Sequence, residues 1–588
     1  MKWTRHVSVL LFMIASIAQG QFNAVEDATT DTGNVFVYEN PKGFGKVLDL
    51  VNLPQKTYRS VSVREDFIPF EGMEIASIEV IVFDEKNQVI EDTTQWDPNL
   101  HFVSKPNQYR WNAQLVKRQL MFREGDLVNA QLMVDNEVVL RQRTIYRDAV
   151  IQLHVIDNYR VKVHVLVQNN RHWQVLFEGG PGSIQLGFGV YDIFSIPQSI
   201  QIAAKGNFNK WNPYSVFLHH SLRNVFKSGL DVKTKVLHEN TSQEFESKVQ
   251  RKFLAFNTKW AFQGKVSFNK SKLVDRSFEA PYDLVSNRQS LWLARSFSAR
   301  HLGNAFSLSR WTVGLRYLRR GYSRIPESQP FYESEQFVAL GVGLVSRDFY
   351  EVEELVQFRA YDYLTKGWNI ALIGGYEISE YRGKRLGLAL KMNASKVYPN
   401  LGHLTAGIHA NLYLKSGAYN QASFRLFDQY ISNPIPLGKL TFRQFVATSA
   451  TMSMNRTPND FFSFNSVQGL DGRLLNYSSS LVANFESVFY TPITWWNSRG
   501  NFYGFADFAL TTSGSPRDFD KSILHHGYGV GIRFQARNLG LNFVDIALGF
   551  YPTYQIADAP FFNYLFSTTP RLYEVGSLRS PSYYSPDI

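Results

Sequence analysis

The sequence predicts an all-β transmembrane barrel of about sixteen antiparallel strands, preceded by a small α+β domain. Three observations predict this fold class. The first twenty residues have the pattern of an export signal. No later segment is long and apolar enough to form a membrane helix. Residues 171–555 form a train of short segments in which apolar residues alternate with small or polar ones.

Composition excludes several classes of protein. The chain is 44% hydrophobic and 15% aromatic, so burial can offset the ordering entropy and the chain is not disordered. Because the 588 residues include no cysteine, a disulfide scaffold, a cysteine-ligated metal site and thiol catalysis are excluded. The net charge of +11 is spread along the chain, which does not favour binding to nucleic acid.

The N-terminal segment predicts export. Lys2 and Arg5 precede the apolar stretch Val7–Ala18, and Ala18 and Gly20 are small residues suited to cleavage before Gln21. This stretch is shorter than the ~20 residues that a membrane helix needs. Residues 1–20 are therefore predicted to be a signal peptide.

The alternation in the long second region indicates strands with two different faces. In Gly527–Phe534, three glycines and Arg533 alternate with large apolar side chains, and Phe502–Leu510 follows a similar pattern. In Asn542–Phe550 the apolar face holds Val544, Ile546, Leu548 and Phe550. An apolar face turned towards lipid is typical of a membrane barrel, and ~24 residues per strand and turn give about sixteen strands. A soluble, secreted β-protein with inward apolar faces is the alternative.

Residues 72–170 show a β-α-α-β-β order. The predicted elements are a strand at 78–83, helices at 108–122 and 129–143, and strands at 149–155 and 160–168. With Phe122-Arg-Glu-Gly-Asp126 between the helices and Arg147-Asp148-Ala149 at the second strand, this unit resembles a POTRA domain. The chain is thereby similar to the BamA/TamA-like outer-membrane assembly superfamily, in which POTRA domains precede a sixteen-stranded barrel.

Two barrel motifs of that superfamily have counterparts here. Val467, Gln468, Gly469 and Leu470 stand where the family has (V/I)RG(F/Y), at the tip of a loop that folds back into the lumen. Phe505, Asp507 and Ala509 stand where the family has F-x-D-x-G, on the strand that anchors that loop. Gln468 replaces the family arginine and Ala509 the final glycine. Arg473 is a candidate for the missing charge.

The predicted domains are the signal peptide 1–20, an extension 21–71 that is a candidate degenerate POTRA-like unit, the POTRA-like domain 72–170, the barrel 171–555 and a tail 556–588. The resemblance also implies a seam between the first and last barrel strands. Its predicted residues are Trp173, Val175 and Phe177 on the first strand, and Val544, Ile546, Leu548 and Phe550 on the last.

The sequence contains no G-x-S-x-G, H-E-x-x-H or P-loop motif. In His219–His220 and His525–His526 the two side chains point to opposite faces of a strand and cannot share a metal. We therefore expect no enzyme activity, no cofactor and no metal.

The resemblance implies a protein in the outer membrane of a Gram-negative-type bacterium, with the POTRA-like domain in the periplasm. It would assist insertion or translocation of proteins through the seam. Its partners would be outer-membrane lipid, unfolded outer-membrane or exported protein clients, and other envelope subunits. The alternatives are a dedicated pore of the two-partner secretion type and a barrel subunit of an envelope complex without insertase activity.

Overall fold

The computed structural model describes residues 63–83, most of 113–169, and the strands and most turns of 172–567. The longest internal gaps are 84–112 and 456–477. The predicted signal peptide and most of the predicted extension 21–71 lie outside the described residues. No helix of the described part has the length and apolar character needed to cross a bilayer.

Residues 63–169 form a three-stranded sheet packed against a helix, here called the α/β unit. Its elements are β1 (Glu74–Phe83), α1 (Ala130–Arg141), β2 (Tyr146–Val155) and β3 (Arg160–Asn169), with a helical turn at 113–117 and 3₁₀ turns at Val63–Asp66 and Ile68–Phe70. The sheet order is β1-β3-β2, with β3 parallel to β1 and antiparallel to β2. The described elements thus follow the β-α-α-β-β order.

Local signals explain these elements. The Asn129 side chain accepts a hydrogen bond from the Leu132 backbone N–H over 2.9 Å, which caps the start of α1. On β3, every second residue from Val161 to Val167 is a fully buried valine, which places the core of the unit on one face of the sheet.

Twenty-one antiparallel strands close into a barrel. They are β4 (Trp173–Gly180), β5 (Ser183–Tyr191), β6 (Gln198–Asn207), β7 (Tyr214–Val225), β8 (Leu230–Glu239), β9 (Ser242–Arg251), β10 (Trp260–Leu273), β11 (Tyr282–Ser298), β12 (Ser309–Arg324), β13 (Glu335–Glu353), β14 (Tyr361–Ser379), β15 (Gly383–Tyr398), β16 (Gly402–Lys415), β17 (Ala418–Ser432), β18 (Ile435–Leu437), β19 (Leu440–Met454), β20 (Ser479–Trp495), β21 (Ser498–Thr512), β22 (Ile523–Ala536), β23 (Leu541–Phe550) and β24 (Phe562–Ser567). Because β17 and β18 both pair with β19, the described strands occupy twenty positions around the barrel.

The barrel fold is the predicted one, with more strands than the sixteen expected. Several turns at one end are tight, for example between Gly180 and Ser183 and between Glu239 and Ser242. Residues 173–567 therefore provide about 20 residues for each of the twenty positions, instead of ~24.

The hydrophobic pattern of the barrel is inverted relative to that of a soluble protein. Large exposed apolar side chains lie on its outward side, as in Leu372 (60%), Val530 (64%) and Leu548 (63%). Its inward side chains include buried polar groups such as Glu486 and Arg533. Because this apolar exterior is continued from strand to strand around a closed hydrogen-bond ladder, it suits a lipid environment and not water.

The two ends of the barrel differ. The α/β unit docks at the end where β4 begins, here called the inner end, and the opposite end is the outer end. The strands are longest in β13 and β14, with 19 residues each, and short in β4 and β24, with eight and six. In the part of the chain that the structure describes, the strands that meet at the closure are thus much shorter than β13 and β14.

Neighbouring residues at the middle of β10 provide a test of the inverted pattern. Val266 faces outward and Ser267 faces the lumen. We expect Val266→Arg to lower the free energy of unfolding from lipid vesicles by ~2–4 kcal/mol, because arginine at mid-bilayer depth is costly. Ser267→Arg should cost much less. Equal effects, or a harmless Val266→Arg, would contradict a lipid-facing exterior.

Candidate functional site

The lumen-facing side of β21 holds the predicted loop-anchoring residues. This strand lies near the barrel closure, with β22, β23 and β24 in between. Phe505, Asp507 and Ala509 are all buried towards the lumen. The Asn484 side chain donates a hydrogen bond to Asp507 Oδ1 over 2.9 Å. The predicted loop residues Val467, Gln468, Gly469 and Leu470, and the candidate charge Arg473, lie outside the described residues. Docking of that loop on Asp507 therefore stays a prediction.

Glycines on β22 make room for aromatic rings of β21. Gly529 is the register partner of Phe505, and Gly531 is that of Tyr503. A Cβ at Gly529 would come within 2.2 Å of the Phe505 ring, and one at Gly531 within 2.3 Å of the Tyr503 ring. The glycine alternation in this segment is thus explained by rings that lie flat over the neighbouring strand.

A buried ion network joins the last four strands before β24. Arg533 on β22 donates two hydrogen bonds to the Glu486 carboxylate on β20, one of them over 2.8 Å, and its Nε donates to Asp545 Oδ2 on β23 over 3.0 Å. The Tyr503 hydroxyl donates to Asp545 Oδ1 over 2.6 Å, and the Arg533 guanidinium lies 3.8 Å from the Tyr503 ring centroid. Each charged group is paired, as burial requires.

The hairpin of β13 and β14 extends beyond the barrel wall at the inner end. Pairing of β12 with β13 ends at Ser346, and pairing of β14 with β15 begins at Gly367. The described part of the extension (347–353, 355 and 361–366) is here called the inner hairpin. It bends at Gly367, where φ is +143° and a Cβ would lie 2.2 Å from the Ser346 carbonyl oxygen, so only glycine fits.

One face of the inner hairpin packs across the lumen. Tyr350 and Leu364 are register partners on that face. They join an apolar cluster with side chains from the opposite wall, namely Ile431, Phe445, Val488, Tyr490, Tyr503, Phe505 and Ala547. The Tyr490 hydroxyl also donates to the Leu355 carbonyl oxygen over 2.8 Å. The strands β13 and β23 are nine positions apart in a barrel of twenty, so this cluster reaches from the inner hairpin across the inner end of the lumen to the opposite wall.

The other face of the inner hairpin packs against α1. Phe349 and Tyr363 join the core of the α/β unit. The Tyr363 hydroxyl donates to the Glu137 carboxylate, and the Arg141 guanidinium lies 4.2 Å from the Tyr363 ring centroid. The inner hairpin is therefore held between the α/β unit and the lumen wall.

A second buried carboxylate of α1 binds the barrel directly. Asp135 accepts hydrogen bonds from Arg347 Nη2 over 3.0 Å and from the Phe256 backbone N–H over 2.5 Å. Burial raises the pKa of both the Asp135 and Glu137 carboxyls, and Arg347 and Arg141 respectively oppose this rise. The unit is thus docked by polar contacts that depend on charge as well as by its apolar core.

The predicted seam needs a correction. Trp173, Val175 and Phe177 do lie on the first barrel strand, β4. Val544, Ile546, Leu548 and Phe550 lie on β23, which is not the last strand, because β24 lies between β23 and β4. Since β23 and β4 run in the same direction, an antiparallel barrel can close only through one more strand. The last strand therefore falls within the predicted tail 556–588.

The closure of the barrel joins β24 to β4. Within the described residues, this ladder comprises two residue pairs, Phe566 with Gly179 and Ser567 with Glu178. The adjoining ladders of the described residues comprise six pairs for β23–β24 and eight for β4–β5. In the part of the chain that the structure describes, the closure therefore has the fewest residue pairs.

Sequence reasoning placed the histidine pairs correctly on opposite faces, since His525 is buried in the lumen and His526 packs outside against Phe508 and Tyr528. It did not identify the inner hairpin or the Arg533 network. The signals that could have indicated them are the unusual length of the segments around 335–379 and the occurrence of Arg533 and Asp545 on non-lipid faces of adjacent strands.

We expect Arg533→Gln to lower the free energy of unfolding by ~3–5 kcal/mol, because it leaves the buried Glu486 and Asp545 without their cation. The control is Arg425→Gln, which removes a lumen arginine that is exposed, with an expected cost of ~0–1 kcal/mol. Denaturant titration in detergent micelles measures both. If Arg533→Gln cost no more than its control, the network would contribute little to the wall.

We expect Tyr350→Ser combined with Leu364→Ser to raise single-channel conductance severalfold in planar bilayers, because polar groups would replace the apolar contacts that fill the lumen. The control is Tyr376→Ser, which changes an exposed side chain on the lipid-facing side of β14. A wild-type conductance that is already large, or no change in the double variant, would show that the inner hairpin does not close the lumen.

Comparison with known proteins gives matches at the level of structure only. No family model and no curated protein matches the sequence. The chain is similar to BamA from Haemophilus ducreyi lacking POTRA domains 1–3, with 11% identity, 84% of each chain covered and a TM-score of 0.37. It is also similar to CdiB from Escherichia coli (11% identity, 87% of this chain and 80% of that chain, TM-score 0.41) and to CdiB from Acinetobacter baumannii (12% identity, 84% and 73%, TM-score 0.35).

Proposed function

We propose that this chain is an outer-membrane barrel that assists the insertion or translocation of proteins through a lateral opening between β24 and β4. In this proposal the protein has no chemical active site, and its clients are unfolded outer-membrane or exported proteins. The observation that carries the proposal is the ladder between β24 and β4, which comprises two residue pairs in the part of the chain that the structure describes.

A short ladder matters because backbone groups in lipid must be hydrogen-bonded. Among the described residues, the β24 ladder covers Glu178 and Gly179 at the outer end of β4. Separating these pairs breaks few hydrogen bonds and presents a strand edge to the membrane. Such an edge is a template on which a client strand can pair.

The α/β unit fits the role of a POTRA-like domain on the periplasmic side. It docks at the inner end, and β1 and β2 are the two edges of its sheet. An extended client segment could add to one of these edges by β-augmentation before it reaches the barrel. This arrangement supports capture and delivery of clients.

The lumen cluster favours insertion at the seam over a dedicated secretion pore. A pore of the two-partner type needs a continuous aqueous lumen, whereas here the inner hairpin and the opposite wall meet across it. This contact across the lumen supports a lateral route for clients over a route through the lumen.

Locking the closure tests the proposal. Gly179→Cys and Phe566→Cys place thiols on register partners, and the native chain has no cysteine to interfere. Facing residues in an antiparallel ladder have Cα atoms ~4.5–5.5 Å apart, which a disulfide can bridge. We expect the oxidised variant to lose the ability to complement depletion of the wild-type protein, and reduction to restore it.

The matched control is Val530→Cys with Leu548→Cys, a register pair of β22 and β23 away from the closure, which should complement in both redox states. Quantification of the outer-membrane proteome after depletion gives the second readout, with loss of many barrels expected. Full activity of the locked closure would refute the lateral opening. Loss of one exported protein or one complex alone would refute a general assembly role.

A further inference from the structure

Asp428 is a carboxylate on the outer, lipid-facing side of the barrel. Its strand, β17, alternates without a register shift along 422–431. Phe424 and Leu426 are exposed outward, whereas Phe427 and Gln429 are buried in the lumen. Asp428 therefore belongs to the outer face, between Leu426 and Tyr430.

A carboxylate on this face needs a partner. The Thr448 hydroxyl on the neighbouring strand β19 donates a hydrogen bond to Asp428 Oδ1. A carboxylate offers about four acceptor positions, so one hydroxyl leaves most of them to be satisfied. In the part of the chain that the structure describes, no cation forms an ion pair with Asp428. Acidic groups on the lipid side of a barrel are unfavourable unless something compensates for their charge.

The surroundings leave room for a small group beside the carboxylate. Across the same row of the outer face, the register partner on β16 is Ala406, and the partner of Thr448 on β20 is Ala483. The next row towards the inner end is larger, with Leu404, Tyr430 and Val446. Asp428 and Thr448 thus lie in a shallow depression bounded by larger side chains.

Asp428 lies closer to the inner end of the barrel wall than to its outer end. It lies four residues from the inner end of β17, which places it roughly 10 Å along a tilted strand from the edge of the wall. Lys396 is on the same outer face, one row closer to the inner end, and its Nζ lies 4.9 Å from the Tyr398 ring. Its distance from Asp428 is on the order of 10 Å, two strand spacings away.

We propose that Asp428 binds the ammonium headgroup of a phospholipid in the leaflet at the inner end, with Lys396 near the phosphate of the same lipid. A primary ammonium carries N–H donors for the unsatisfied carboxylate positions, which the methylated headgroup of phosphatidylcholine lacks. Lys396 lies closer to the inner end of the wall, and Asp428 lies deeper in the depression. This order of charges complements a zwitterionic headgroup that folds back against the wall. This inference rests on the proposed membrane location.

The test uses the full-length protein, reconstituted with equal amounts of phosphatidylethanolamine and phosphatidylcholine of the same acyl chains. The lipids retained after mild detergent exchange are counted by native mass spectrometry. We expect about fivefold enrichment of phosphatidylethanolamine on the wild-type protein, which corresponds to ~1 kcal/mol. Asp428→Asn should abolish this enrichment, and Thr448→Val should keep it because the carboxylate remains.

The matched control is Asp283→Asn, which removes another carboxylate of the outer face that already pairs with Lys270 over 3.0 Å near the outer end. It should retain the wild-type enrichment. An equal lipid ratio on the wild-type protein, or an unchanged enrichment on Asp428→Asn, would overturn the site. Failure of the wild-type protein to float with vesicles would instead refute the membrane location itself, so the two failures are distinguishable.

Discussion

The inner hairpin is buried on both faces. One face packs against the α/β unit and the other packs across the lumen, so these two sets of contacts depend on each other. Tyr363 contacts Glu137 and Arg141 of α1, while its neighbours Tyr350 and Leu364 contact the far wall. Neither face could be exposed without placing aromatic or aliphatic surface in water. An α/β unit that moved away from the barrel would thus uncover one face of the hairpin, and a hairpin that left the lumen would undo the docking.

Side chains alternate between the lipid-facing and the lumen-facing side of each strand, and the two sides meet different requirements. Side chains that face lipid are favourable when they are apolar, whereas side chains that face the lumen can carry charge provided that the charges are paired. Arg533, Glu486 and Asp545 use this freedom to join β20, β22 and β23 into one block next to the closure. Beyond that block, the described residues of β24 are joined to β4 by two residue pairs. The ion network therefore lies on the strands next to the one that completes the wall.

The sequence was sufficient to predict the barrel and, for the segments in β21, β22 and β23, the face on which each side chain lies, because side chains alternate between the two faces of a strand. It was sufficient also for the order of the α/β unit, where Val161–Val167 and the Asn129 cap are local signals. Alternation does not indicate which strands pair. The contact between Arg533 and Glu486, which are 47 residues apart, could therefore not be predicted from it. The inner hairpin escaped notice because both of its faces are buried in protein, and only Gly367 marks where it leaves the wall. The six residues of β24 are too few to show a period.

The joint between β24 and β4 has a consequence for how the barrel is made. It brings together residues 179 and 566, so the two strands that complete the wall are separated by almost the entire barrel sequence. Every other ladder of the wall pairs strands that follow closely along the chain, and these can form as hairpins as soon as their residues are available. Closure therefore has the largest loop entropy to overcome. We expect this ladder to form after the hairpins, so that an open sheet with two unpaired edges precedes the closed barrel.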